Sequence, residues 1–263
     1  MVLNDFLQYQ GINQRLIPEA EWLVRNVYFA KDAIMKPLDI EPEMLPEIIN
    51  SGPLQYFPVL TGDEEQIYFT KRQGAHPRYD ENIYMSKKDD QGNWIPPYSL
   101  SSNINTASNE GTCTISADGK ILILTSCQGR GSLGSCDLYI SFREGNDWSR
   151  PVNLGPNVNS QHWDSQPSLS ADGRKIYFVS ERPGGLGGRD IWLSELNENN
   201  EWLPAVNLGN SINTERDEVS PFIHVNGQTL FFASKGYPGF GGYDLFMSEI
   251  TNGSWSVPKN LGY

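Results

Sequence analysis

Residues 166–180 read Gln-Pro-Ser-Leu-Ser-Ala-Asp-Gly-Arg-Lys-Ile-Tyr-Phe-Val-Ser, and this stretch decides the fold. A short apolar run meets Asp172-Gly173, a pair suited to the positive φ of a tight hairpin, and then Ile176-Tyr177-Phe178, a run of strong β-formers. The same pattern recurs along the chain. Trp94, Trp148, Trp202 and Trp255 lie 54, 54 and 53 residues apart. Asn50-Ser51, Asn105-Thr106, Asn159-Ser160 and Asn213-Thr214 each stand eight residues before Pro58, Cys113, Pro167 and Pro221. Five residues later come Asp63, Asp118-Gly119, Asp172-Gly173 and Asn226-Gly227. Asn-Leu-Gly closes the unit at 153–155, 207–209 and 260–262.

Within the third copy the pattern predicts strands at Gln166–Ser170, Lys175–Ser180, Asp190–Leu196 and Glu201–Leu208, with turns at Pro183–Gly188 and Asn199-Asn200. Four short strands per unit of this length, repeated in tandem, predict an all-β chain folded as a β-propeller of four detectable blades. Five or more are expected if the chain continues, because Asn260-Leu261-Gly262 is the junction that elsewhere introduces a blade. A closed four-bladed ring is the alternative. The recurring tryptophans then pack blades, and the glycine runs at 184–188 and 239–242 are hairpin turns, since no helix follows to supply a phosphate cradle.

Residues 1–36 differ in kind. Pro18 suits a first helical turn, and Ala20, Leu23, Val24, Val27, Ala30 and Ile34 follow a helical period with Trp22 and Phe29 on another side. We expect a helix of roughly 18 residues covered on two faces, ending at Lys36-Pro37, with the propeller at 37–263.

The chain has 263 residues and a net charge of −12. That charge argues against nucleic acid, which demands a basic stripe. No window is apolar enough to span a bilayer, and the stretch after Met1 lacks the basic and apolar regions of a signal peptide.

Chemistry-bearing patterns are sparse. There is no Gly-x-Ser-x-Gly elbow, and His76, His162 and His224 fall at unrelated repeat positions, which is not metal-ligand spacing. We expect no cofactor and no metal. Glu110, Asp164, Asp217 and Glu218 all precede inner strands on one face, so they are candidates for a carboxylate pair at a glycosidase-like mouth. Their regular repeat position favours the other role, capping the inter-blade loop. Aligned copies pair Arg72 with Glu81, Cys127 with Cys136, Glu181 with Arg189 and Lys235 with Tyr243 across the base of the second hairpin. Cys127 and Cys136 are therefore candidates for a disulfide, whereas Cys113 takes a proline position in an inner strand and is expected to be buried and free.

Residues 151–160, 170–185 and 187–194 resemble TolB-type propeller repeats, and more narrowly those of OmpA-family envelope proteins of Bacteroidetes. Phe29–Pro37 resembles the junction at which a tetratricopeptide domain enters such a propeller. The resemblance implies a non-catalytic periplasmic scaffold, tied to an envelope or type IX secretion complex, that reaches peptidoglycan only through domains outside this chain. Glu64 departs from the pattern, standing where the turn glycine belongs. The expected partner surface is the face of second hairpins and inter-blade loops, with Arg130, Leu133, Arg182, Leu186, Tyr237 and Phe240 at the tips. A carbohydrate-binding or glycosidase-like propeller is the alternative function.

Overall fold

A computed structural model describes residues 2–9, 11, 13–39, 41–72, 74 and 80–262. His76 lies outside them. Helix α1 (Val2–Leu7) and a 3-10 turn at Gln14–Leu16 precede helix α2 (Ile17–Ala33). Pro18 sits in the first turn of α2, where its missing N–H costs nothing, with Glu19 beside it and Lys31 in the last turn.

Four antiparallel sheets follow, one per sequence repeat. Blade 1 holds β1 (Leu54–Leu60), β2 (Gln66–Arg72), β3 (Glu81–Lys87) and β4 (Tyr98–Ser99). Blade 2 holds β5 (Asn109–Ile115), β6 (Ile121–Cys127), β7 (Cys136–Glu144), β8 (Asp147–Trp148) and β9 (Val152–Asn153). Blade 3 holds β10 (Asp164–Leu169), β11 (Lys175–Ser180), β12 (Asp190–Glu195) and β13 (Val206–Asn207). Blade 4 holds β14 (Glu218–Ile223), β15 (Thr229–Ser234), β16 (Asp244–Thr251), β17 (Ser254–Trp255) and β18 (Lys259–Asn260). The chain is a β-propeller of four blades preceded by a short helical segment.

The first three strands of each blade fall where the repeat predicts, but the fourth does not. Glu201–Leu208 reduces to a bridge between Leu196 and Trp202 and the two-residue β13. Pro204 lies between them, and its missing N–H interrupts the ladder. Pro151 and Pro258 split the outer strands of blades 2 and 4 in the same way.

Each inner strand carries a bulge at its proline position, with Phe57, Gln166 and Ser220 at positive φ in blades 1, 3 and 4. The bulge aims backbone donors at the preceding blade. Gln166 N–H donates to Thr112 Oγ1 at 3.0 Å and Leu169 N–H to Thr114 Oγ1 at 3.1 Å. Ser220 N–H donates to Gln166 Oε1 at 2.7 Å and Ile223 N–H to Ser168 Oγ at 3.0 Å. Between the sheets lie shared apolar clusters. Ile104, Val158 and Ile212, from successive entry loops, are fully buried in them, and Trp148, Trp202 and Trp255 pack in the same clusters.

The first hairpins show why Asp-Gly recurs. Gly119, Gly173 and Gly227 have φ of +69°, +70° and +66°, and Glu64 is forced to +59° at the equivalent place in blade 1.

Strand packing joins blades 1 to 2, 2 to 3 and 3 to 4, and no comparable packing joins 4 to 1 among the described residues. Among the described residues, strand packing therefore does not close the four blades into a ring. The inner strands of all four blades nonetheless line one axial cavity of about 510 Å³, walled by Leu60, Ile115, Leu169, Phe222 and Ile223 at its first-hairpin end.

Helix α2 packs against blade 4 along one face and also meets α1, with Ala20 buried. Asn26 accepts from Gly239 N–H at 2.7 Å, Phe29 meets Phe240 edge-on at 5.6 Å, and the Arg216 guanidinium lies over Trp22 while pairing with Glu19. Leu23, Val27 and Ile34, expected to be covered, face outward. The polar Asn26, which periodicity ignores, anchors the helix instead.

Candidate functional site

The entry loops and second hairpins meet at one end of the propeller, and the same architecture is built there in each blade. Asn105 accepts from Ile83 N–H at 2.9 Å and donates to Ile83 C=O at 2.8 Å, clamping the third strand of the preceding blade. Asn159 clamps Leu138, and Asn213 clamps Ile191, with the same two bonds. This role was visible in the sequence only as an asparagine recurring at one position.

The carboxylates come next. Glu110 accepts from the N–H and hydroxyl of Thr106 at 2.7 and 2.8 Å. Asp164 does the same to Ser160 at 2.6 and 2.8 Å, and Glu218 to Thr214 at 2.7 and 2.8 Å. All three are fully buried. They cap the inter-blade loops and do not stand at a mouth open to substrate. Asp217 is half-buried and is taken up by Lys235 Nζ at 3.3 Å and the Tyr243 hydroxyl at 3.1 Å.

The hairpin tips divide into two kinds. Arg182 turns inward, donating to Val158 C=O at 2.5 Å and Asp164 at 2.7 Å, with Phe178 and Trp192 each 5.1 Å from the guanidinium. Arg130 likewise donates to Ile104 C=O and pairs with Glu110 at 3.4 Å. Tyr237 reaches Ile212 C=O at 3.2 Å and packs against Phe232 and Phe246. Phe240 is half-buried against the helix. These four were expected on the open surface, and the structure places them inward: Arg130, Arg182 and Tyr237 cap carbonyls of the adjacent loop that would otherwise be orphaned, and Phe240 packs its ring on Phe29. Leu133 and Leu186, at one repeat position, remain exposed at 47% and 45%. Their turns are rigid, because Asp137 accepts from Leu133 and Gly134 N–H at 2.7 and 3.0 Å, and Asp190 from Leu186 and Gly187 N–H at 2.5 and 3.0 Å.

Charge at this end is uneven. In blade 4, among the described residues, no cation pairs with the Glu218 carboxylate, and burial pushes its carboxyl up to about 7 against the bonds from Ser234 and Thr214, with Asp190 adding to the rise.

All four pairs aligned across the second-hairpin base are in contact. Arg72 meets Glu81 at 3.3 Å, Arg189 meets Glu181 at 2.9 Å, and Lys235 lies 4.3 Å over the Tyr243 ring. Cys127 and Cys136 are joined by a disulfide with their Cα atoms 4.0 Å apart. Cys113 is free and buried, which pushes its thiol up to about 12. Among the described residues no group of three or more His, Cys, Asp or Glu converges as a metal site, and no helix is long and apolar enough to cross a membrane.

No protein-family model matches the chain, and no curated protein matches it. Solved structures do. TolB from Acinetobacter baumannii superposes with a TM-score of 0.50 at 14% identity, over 80% of this chain and 43% of that one. The fold is a TolB-like β-propeller. An α-L-arabinofuranosidase from Lactobacillus brevis superposes with a TM-score of 0.52 at 12% identity, over 80% of this chain and 77% of that one. At these identities the likeness is one of fold alone. The chain spans less than half the length of the Acinetobacter TolB.

Proposed function

We propose that this TolB-like propeller is a non-catalytic protein-interaction scaffold of the periplasm, acting within an envelope or secretion complex. One observation carries it: at the entry-loop end Glu110, Asp164 and Glu218 are each buried in a loop cap, while the exposed apolar residues Leu133 and Leu186 are held out on turns fixed by Asp137 and Asp190. Preformed tips bind with little loss of ordering entropy, which suits a docking ring. The disulfide between Cys127 and Cys136 suits an oxidising compartment. Sequence resemblance narrows the proposal to the OmpA-family envelope proteins of Bacteroidetes, in the manner of PorE of the type IX secretion system, with peptidoglycan reached through other domains.

Of the carbohydrate-binding or glycosidase-like alternative, the glycosidase form would need two accessible carboxylates about 5–10 Å apart. Glu110, Asp164 and Glu218 are closed to solvent, and the axial cavity is walled mainly by apolar side chains. Sedimentation of residues 1–263 with purified peptidoglycan, run beside recovery of partners from envelope extract, tests the proposal. We expect protein partners and no sedimentation. Sedimentation with the wall, or sugar released from it, would overturn the proposal.

A further inference from the structure

Blade 4 presents, on the side away from blade 3, the receiving half of a joint that the chain builds three times. In the finished joints Ile83, Leu138 and Ile191 of the third strands are each 0% exposed, and the asparagine of the next entry loop clamps both backbone groups of each. Leu245 holds the same strand position in blade 4 and is 60% exposed. Its carbonyl accepts from Leu261 N–H at 2.9 Å, as Leu138 accepts from Leu154 and Ile191 from Leu208. Among the described residues no side chain meets its N–H.

Two further features repeat the pattern. A side chain at Gly134 would run into the carbonyls of Ser160 and His162, and one at Gly187 into those of Thr214 and Arg216, because the next entry loop presses on the hairpin there. Gly241 keeps the glycine at this position, yet nothing lies within 4 Å of where its Cβ would be. Asn260 Oδ1 accepts from Gly262 N–H at 2.8 Å with Gly262 at φ +80°, matching Asn153 with Gly155 (+79°) and Asn207 with Gly209 (+71°). In the finished joints that asparagine oxygen also receives the clamp: Asn159 Nδ2 reaches Asn153 and Asn213 Nδ2 reaches Asn207, both at 2.9 Å. The clamp stands four residues after the glycine. Blade 1 offers no clamp among the described residues, since its own Asn50 is turned to Leu45 C=O at 2.7 Å, and only Leu38 of its lead-in lies against Gly262.

We infer that the outgoing face of blade 4 is a docking site for one further four-stranded blade, joined through Gly262 and received by an entry loop of the form Ile/Val-Asn-Ser/Thr with an Asp or Glu four residues after the hydroxyl residue. The asparagine clamps Leu245, the branched aliphatic residue covers its side chain, and the acid closes the loop on Ser/Thr.

The test appends a copy of residues 210–262, or of 156–209, directly after Gly262 in the full chain. Backbone hydrogen exchange at Leu245 and Tm are read with and without the added blade. We expect the Leu245 amide to exchange quickly in the chain as it stands and to slow by about 100-fold on extension, with a rise in Tm of about 5 °C. Replacing the clamp asparagine of the added copy by Ala should cancel both changes. Leu245→Ala adds an independent readout: it should leave Tm of the unextended chain nearly unchanged and lower that of the extended chain as Leu138→Ala lowers either. If neither added blade protects Leu245, or if the Ala variant protects it equally, the inference fails.

Discussion

Tyr237 fills in blade 4 the place that arginine fills in blades 2 and 3, and Glu218 is thereby left buried without a cation among the described residues. Arg130 and Arg182 each join a loop carbonyl to the buried carboxylate of their blade. Tyr237 reaches the same loop carbonyl, of Ile212, but brings no charge.

The consequence is a pH dependence of known sign. The folded carboxyl sits near 7 and the unfolded one near 4.5, so the folded state holds the proton more tightly between those values. Stability therefore falls as pH rises through that window and levels off above about 7. Glu218→Gln keeps an acceptor for Thr214 and removes the buried charge. It should raise stability at pH 8 by ~1–3 kcal/mol, leave it unchanged near pH 4 and flatten the profile. Denaturant melts across pH 4–8 measure this; a variant less stable at pH 8 would show that the charge is favourable where it lies.

Arg182 should be needed for folding. Arg182→Met leaves Asp164 buried without its partner and Val158 C=O without its donor, and should cost about 3 kcal/mol by equilibrium unfolding. Surface substitutions such as Leu186→Ser should cost less than about 0.5 kcal/mol.

Much of this was legible beforehand because a repeat multiplies weak signals. The hairpin at Asp172-Gly173, the strand at Lys175–Ser180 and the pairing of Arg72 with Glu81 all follow from position within the unit. What the repeat hid was direction. Arg182 and Leu186 stand four residues apart in one hairpin, and sequence reads both as tips. Only the structure shows that the arginine is long enough to reach back to Val158, whereas the leucine has no polar group to pull it inward. Asn26 escaped for a related reason: one polar residue inside an apolar period reads as noise, although it meets an otherwise orphaned N–H at Gly239.

The three cysteines should behave differently. Intact mass after alkylation of non-reduced protein should show Cys127 and Cys136 oxidised, with Cys113 unlabelled until the chain unfolds, since its thiol is buried and held protonated. Cys127→Ser with Cys136→Ser should lose about 2.5 kcal/mol, the chain-entropy value for a loop of about nine residues. Free thiols at both positions in periplasmic material would contradict this.

Helix α2 should release locally. Asn26→Ala removes the acceptor of Gly239 N–H and should expose the segment before residue 34 to limited proteolysis while Tm of the blades changes little. Tyr237→Ala, by contrast, strips a ring packed on Phe232 and Phe246 and should destabilise blade 4 itself.

The most direct test of the interaction proposal is the double substitution Leu133→Asp with Leu186→Asp, carried in the full-length protein in its own envelope. A photo-crosslinking side chain at the nearby exposed Ser135 or Pro183 would report contact. The account predicts a discrete crosslinked protein for the parent and its loss in the double variant, with Tm unchanged. An unaltered crosslink, or a single carboxylate substitution such as Asp164→Asn that abolishes function in a folded protein, would contradict it.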